Sequence, residues 1–294
     1  MAAPSAAPVS ARARPEGRPA PAMQDSMARK YLSLADRLPA RTISHPQGGG
    51  RHRGTQRDGA CAAQQNQLLA ALSSAARARL QPHLQLVQLP LGQVIYEPGD
   101  LLRYVYFPID SIVSLLHVMA DGASAEISVV GNDGIIGISQ FMGGETRPNR
   151  AIVHSAGKAY RMLAKRLKEE FHRSGEMQLL LLRYTQARLT QMAQTAVCYR
   201  HHSLDQQLCR RLLLSLDRLP SDRLHMTQVL IATMLGVRRE GVTEAAGKLQ
   251  KVGVIRYTRG QITVLDRPRL EQLSCECYAV VKRATDRLLP RPHS

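Results

Sequence analysis

The stretch that most constrains this chain is Met226-Thr-Gln-Val-Leu-Ile-Ala-Thr-Met-Leu-Gly-Val-Arg-Arg-Glu-Gly-Val-Thr-Glu-Ala-Ala-Gly-Lys-Leu249, where two short helical patterns meet at one glycine. Val229, Leu230, Ala232 and Leu235 form an apolar stripe in the first half, and Val242, Ala245, Ala246 and Leu249 form one in the second. Each stripe is expected to bury against the other, with the small Ala232 permitting close approach. Thr227 stands where a hydroxyl can accept from the free amides that open a helix, and Gly236 where a left-handed residue ends one. Together these features describe a helix-turn-helix.

The apolar stripe of the second helix leaves Arg238, Arg239, Glu240, Thr243 and Glu244 outward at its N-terminal end, with Thr227 and Gln228 at the start of the first. Arginine can bond guanine O6 and N7 together, and glutamate can accept from the cytosine amino group, so these residue types suit a helix that enters the major groove N-terminus first. Taken alone, the same residues describe a solvated charged face. The next segment shifts the balance. Val254-Ile-Arg-Tyr257 and Ile262-Thr-Val-Leu265 read as two strands around Thr258-Arg-Gly-Gln261, which predicts a wing carrying Arg256 and Arg259 toward phosphates.

With the helix pair, the wing and the Gly-Val-Arg-Arg-Glu-Gly-Val-Thr run from Gly236 to Thr243, the chain resembles the Crp/Fnr family of bacterial transcription regulators. The resemblance implies an α+β architecture: a cyclic-nucleotide-binding-like β-roll sensor, a long dimerisation helix, then the winged helix-turn-helix. It also implies a homodimer on palindromic double-stranded DNA, with RNA polymerase as a further candidate partner. Arg239 and Glu240 match base-contacting positions of the family, while Glu244 stands where an arginine is usual. That departure bears on the target sequence rather than on the binding mode.

The resemblance places an effector pocket at Gly137, Ile138, Asn149 and Arg150. Family pockets that bind cyclic nucleotide use a Gly-Glu pair for the ribose and an Arg-Ser pair for the phosphate. Here Ile138 replaces the acid, and Asn149-Arg150 precedes Ala151 where Arg-Ser is expected. Losing the ribose acceptor costs about 1 to 3 kcal/mol of binding. The expectation is therefore a sensor for an effector other than cyclic nucleotide.

A net charge of +17 over 294 residues argues for a polyanionic partner, since clustered cations attract phosphates. No apolar run approaches the roughly 18 residues needed to span a bilayer, so no membrane partner is expected. Cys61, Cys198, Cys209, Cys275 and Cys277 are odd in number and scattered, which fits a reducing cytoplasm better than a secreted disulfide framework. Cys275-Glu-Cys277 looks like half of a metal or redox site, but no second pair follows at zinc-site spacing. His201-His202 reads as a polar linker, because adjacent residues do not share a helix face. Neither metal nor cofactor is expected.

Along the chain, four regions are expected: 1–63, 64–172, 173–202 and 203–294. The first is rich in Ala, Pro, Arg and Gly, lacks apolar periodicity, and reads as a disordered basic extension. A true start at Met23 or Met27 is the favoured account of it. From Gln64, Leu68, Leu69, Leu72, Leu80 and Leu84 predict one short leading helix. Residues 87–162 then break into short β-branched runs between turn signals, which predicts the β-roll.

Leu182, Thr185, Leu189, Met192, Ala196 and Tyr199 recur at three- and four-residue intervals, predicting a dimer seam along a helix of residues 175–199. A hinge over 199–202 follows. Ser203-Leu-Asp-Gln206 is a capping box for the next helix, and residues 270–289 read as a final helix.

Against a regulator stand an enzyme and a non-sequence-specific nucleic-acid binder with a degenerate sensor. The sequence holds no P-loop, nucleophile elbow or paired histidines at metal spacing, so no constellation carries catalysis. A binder relying on phosphates alone has little use for Glu240, which repels them unless it reads a base.

Overall fold

The structure, a computed structural model, describes residues 65–144, 149–173, 175–219 and 221–289, all within one compact unit. The expected basic extension, with Met23, Met27 and Cys61, lies outside the described residues. Where one leading helix is expected there are two, α1 (Gln67–Ala70) and α2 (Ser74–Leu80). The cause is local: the Asn66 side chain accepts from the Leu68 and Leu69 amides and that of Ser73 from the Ala76 amide, so each opens its own helix.

Seven strands follow: β1 (Gln85–Leu89), β2 (Val94–Tyr96), β3 (Tyr104–Pro108), β4 (Ile112–Val118), β5 (Ser124–Val130), β6 (Arg150–Ser155) and β7 (Gly157–Leu163). They make two antiparallel sheets, in orders β1-β7-β3 and β2-β6-β4-β5. Val105, Phe107, Val113, Val130, Val153 and Met162 fill the space between them. The larger sheet is buried on both faces. Val113 and Val130 point into the roll, while their neighbours Ile112 and Val129 join the core of the C-terminal half, as the two-residue period of a strand requires.

Helices α3 (Ala164–His172) and α4 (Glu176–His201) lead out of the roll. Helix α4 runs through Tyr199, Arg200 and His201, so the expected four-residue hinge shrinks to the extended pair His202-Ser203. Ser203 explains this: its side chain accepts from the Gln206 amide, and the Gln206 side chain accepts from the Ser203 amide. Helix α5 (Leu204–Leu216) therefore starts at once.

The C-terminal half adds β8 (Arg223–His225), α6 (Gln228–Leu235), α7 (Arg239–Lys251), β9 (Ile255–Thr258), β10 (Gln261–Val264), α8 (Arg267–Leu273) and α9 (Glu276–Leu288). Its sheet runs β8-β10-β9. The single final helix expected over 270–289 is two, because the Ser274 amide closes α8 on the Leu270 and Glu271 carbonyls and Cys275 adopts extended backbone. Helix α9 packs along α4.

Helix α4 thus has three sides. Arg188 and Gln191 meet β5, and Gln194 and Cys198 meet α9. The third side carries Leu179, Leu182, Leu189 and Val197, each about half exposed. Of the expected seam, Leu182, Leu189 and Ala196 lie on the exposed side and Met192 is half-buried. Thr185 and Tyr199 do not lie there. Thr185 is buried with its hydroxyl donating to the Leu181 carbonyl, and Tyr199 turns inward to carbonyls of the chain's own β5 and α6. The exposed stripe runs through Leu182, Gln186, Leu189, Ala193, Ala196 and Arg200, and polar Gln186 and Arg200 hid that register from an apolar-only reading.

Candidate nucleic-acid interface

The reading head is built from α6, α7 and the β9–β10 hairpin. Thr227 caps α6, its hydroxyl accepting from the Leu230 amide at 3.1 Å, and Gly236 closes the helix at φ 66°. Helix α6 is apolar nearly all round, so the expected stripe is only partly its buried face: Val229 is 49% exposed, while Ala232 and Leu235 are buried together with Ile231 and Met234. The second helix follows the expectation, burying Val242, Ala245, Ala246 and Leu249.

Arg238 opens α7 in extended backbone with no side-chain cap, so the first amides of the helix and their positive dipole end stay open. Arg238, Arg239, Glu240 and Thr243 are exposed around that end. Half-buried Gln228 ties the two helices together: its Oε1 accepts from Thr243 Oγ1 at 2.9 Å and lies 3.5 Å from Arg239 Nε. Glu244 is exposed but paired, 3.0 Å from Lys248, which also holds Asp205 of α5 at 3.1 Å. Its carboxylate is directed along α7 toward its C-terminus.

The wing is a tight hairpin. Thr258 pairs with Gln261, and the two residues between them, Arg259 at φ 48° and Gly260 at φ 79°, both adopt the left-handed backbone that this turn demands. Arg256 and Arg259 are exposed. Tyr257 fixes the wing to the helices, its hydroxyl donating to the Met226 carbonyl at 2.7 Å and its amide to Gln250 Oε1 at 2.7 Å. Burial pushes the Tyr257 phenol up to about 12, so it remains a donor. Among the described residues, Arg238, Glu240, Arg256 and Arg259 have no side-chain partner.

The reading head is attached to the sensor through buried charge. Glu126 of β5 accepts from Ser114 Oγ and, at 3.0 Å, from Arg211 Nη2 of α5. His154 of β6 lies between them, its Nδ1 2.7 Å from Ser114 Oγ and its Nε2 3.2 Å from Arg211 Nη2. With the guanidinium donating to Nε2, the ring must be neutral and protonated on Nδ1. Burial, then the nearby Arg211 and Arg218, hold the His154 pKa well below its ordinary value. A second pair, Arg218 with Asp133, joins α5's end to the loop after β5 at 2.6 and 3.0 Å. Tyr199 Oη sits 3.1 Å from the carbonyls of both Glu126 and Met234. Sequence patterning gave no sign of this junction, because Arg211 and Arg218 meet Glu126, Asp133 and His154 only through the fold, from far along the chain.

The positions expected to form an effector pocket are packed against or paired with the chain's own residues. Gly137, at φ 111°, packs so closely on Leu102 and Val105 that a β-carbon there would sit 2.7 to 2.8 Å from them. Ile138 packs against the roll's core, and Arg150 Nε pairs with Glu97 at 2.7 Å. Asn149 is half-buried beside it, and residues 145–148 lie outside the described residues. One further cluster joins residues that sequence spacing kept apart: Cys198, His202, Cys275 and Cys277. Among the described residues no helix is long and apolar enough to cross a membrane.

Comparison with known proteins agrees with both halves. A family model for the cyclic nucleotide-binding domain matches residues 86–174, and one for the Crp-like helix-turn-helix domain matches residues 206–273. None of the curated proteins matches the chain in sequence. A solved regulator assigned to the Crp/Fnr family from Eubacterium rectale is 20% identical, covering 70% of this chain and 96% of its own at a TM-score of 0.54. FixK2 from Bradyrhizobium japonicum is 17% identical, covering 65% and 98% at 0.55. The c-di-GMP-responsive regulator CLP from Xanthomonas campestris is 18% identical, covering 66% and 100% at 0.51. A sensor roll of one family and a helix-turn-helix of the other, in this order along one long helix, make the chain a Crp/Fnr family DNA-binding transcription regulator.

Proposed function

We propose that the chain acts in the cytoplasm as a homodimer that reads a two-fold symmetric DNA site through the N-terminus of α7, under control of a signal other than a cyclic nucleotide. The observation that carries this reading is the set of mixed-sign residues left without partners at the open end of α7, beside a wing whose arginines are also unpaired. Arg239 and Glu240 read base edges, Gln228, itself held by Thr243, orients Arg239, and Arg256 and Arg259 hold the backbone.

The second subunit meets the exposed side of α4. Three half-exposed leucines at coiled-coil spacing, Leu179, Leu182 and Leu189, with Val197 beside the same stripe, are what a symmetric helix pair buries. In the sensor, Arg150 is paired to Glu97, and Ile138 offers a ribose no acceptor. A signal arriving there is passed to α5 through the Glu126, His154 and Arg211 contacts.

Selection of DNA from a random pool by the full chain tests the reading. The expected product is an inverted repeat whose half-sites lie about 10 base pairs apart, unchanged by added cyclic AMP. A pool that enriches no motif would leave the non-specific binder as the better account.

A further inference from the structure

We infer that Cys198, His202, Cys275 and Cys277 form a mononuclear zinc site that clamps the end of α4 to the start of α9. The ligand atoms of these four side chains all lie within 4.8 Å of one another. Cys198 Sγ is 3.6 Å from Cys275 Sγ, and Cys277 Sγ is 3.4 Å from His202 Nδ1. Zinc–sulfur bonds of about 2.3 Å and zinc–nitrogen bonds of about 2.0 to 2.1 Å, set tetrahedrally, place neighbouring ligand atoms roughly 3.5 to 3.8 Å apart. These two spacings already match, and the others, all within 4.8 Å, have to close by at most about 1 Å. A multi-iron cluster spreads its thiolates farther apart than one ion does, and three sulfurs with one imidazole are a structural zinc set.

The surroundings are those of a ligand set rather than of spare thiols. His202 offers Nδ1 to the cluster while Nε2 lies 3.2 Å from Glu276 Oε1, the carboxylate–imidazole pairing that fixes the tautomer of a metal-bound histidine. Gln194 Nε2 donates to Cys277 Sγ at 3.1 Å, a bond that favours the thiolate. Cys198, Cys275 and Cys277 are at most 5% exposed, and they form a small buried group of their own outside both main cores. Three thiolates and one neutral imidazole around a divalent ion leave one negative charge. Arg210, 4% exposed, acts on Cys198, and its Nε is buried without a partner.

Binding displaces the protons still held by the thiols, so affinity rises with pH. The clamp lies where α4 turns into α5, and thus fixes α9 on the helix that joins sensor to reading head. This inference stands apart from the DNA reading, since neither Arg239 nor Glu240 takes part in it.

The test uses the full, untagged chain purified under reductant. One zinc ion per chain is expected by elemental analysis, and a strong chelator should lower Tm. Cobalt added to the stripped protein should give thiolate-to-cobalt charge-transfer bands with intense tetrahedral ligand-field bands. Cys277→Ser should weaken zinc binding at least tenfold, His202→Gln should shift the cobalt spectrum, and Cys209→Ser, in the core around α5, should change neither. If Cys277→Ser does not fold, the wild-type cobalt spectrum and His202→Gln still decide the matter. A reduced chain that takes up neither metal overturns the proposal, and so does a chain isolated under reductant whose Cys198 and Cys275 remain disulfide-bonded. So does loss of metal in Cys209→Ser equal to that in Cys277→Ser.

Discussion

The junction and the reading head are both rich in arginine, yet they use it in opposite ways. Arg211 and Arg218 are 3% and 4% exposed, and their hydrogen bonds all go to the chain itself: Glu126, His154, Ser215 and Met234 for Arg211, Asp133 and the Leu214 carbonyl for Arg218, with Arg211 Nε buried and unpaired. Arg238, Arg256 and Arg259 are exposed, with no side-chain partner. A guanidinium held mostly from within contributes to the fold and, being buried, is out of a ligand's reach. One left unsatisfied at the surface contributes little to stability and is free for phosphate or base. The sensor's Arg150 falls nearer the first kind, since Glu97 already holds it.

The largest effect that can break this comparison is expected at Arg211. Arg211→Met leaves the Glu126 carboxylate buried without its cation, which should cost about 3 to 5 kcal/mol of stability in denaturant titration. Adding Glu126→Gln to that variant should recover much of the loss. An equal loss on Arg259→Ala would erase the distinction between the two sets.

Next is the open side of α4. Leu189→Glu should push the protein toward monomer in sedimentation, removing about 1.5 to 3 kcal/mol of apolar burial per protomer and setting like charges face to face. An unchanged dimer would place the partner on another surface.

His154 gives a smaller, graded effect. Its folded pKa lies well below that of the unfolded chain, so as pH falls through about 6.5 the unfolded state takes up a proton first and stability declines from there toward the folded pKa. His154→Gln should flatten that acid-side slope. A slope that is unaltered would mean the ring is not held neutral.

Least disruptive to the fold is Arg259→Ala. It should leave Tm unchanged, weaken all DNA sequences alike, and reduce the salt slope of binding by about 1.

How much of this was legible beforehand depended on whether a residue's fate was set by its neighbours in sequence. Caps and turns were: Thr227, Gly236 and Ser203 do what their side chains or φ angles dictate. So was the wing, although Thr258 and Gln261, expected in the turn, pair as strand residues and leave only Arg259 and Gly260 between the strands. Side-chain orientation on α4 and α6 was not. Helix α6 is apolar on nearly every side, so Val229 could not be told from Ile231, and Thr185 and Tyr199 were claimed by partners far along the chain. Cys198 and Cys275 are separated by 77 residues and meet only because α9 folds back on α4, which no spacing rule anticipates.

The central claim, that the open end of α7 reads bases, is tested most directly at Arg239 and Glu240. Titrations of wild type, Arg239→Ala and Glu240→Ala on selected and scrambled DNA at two salt concentrations separate base reading from attraction. Arg239→Ala should lose about 1 to 3 kcal/mol on the selected site only, and Glu240→Ala should tighten scrambled DNA while losing discrimination. Should Glu240→Ala instead bind both DNAs more tightly by the same factor, with Arg239→Ala weakening both alike, α7 does not read sequence through these residues and the account is contradicted.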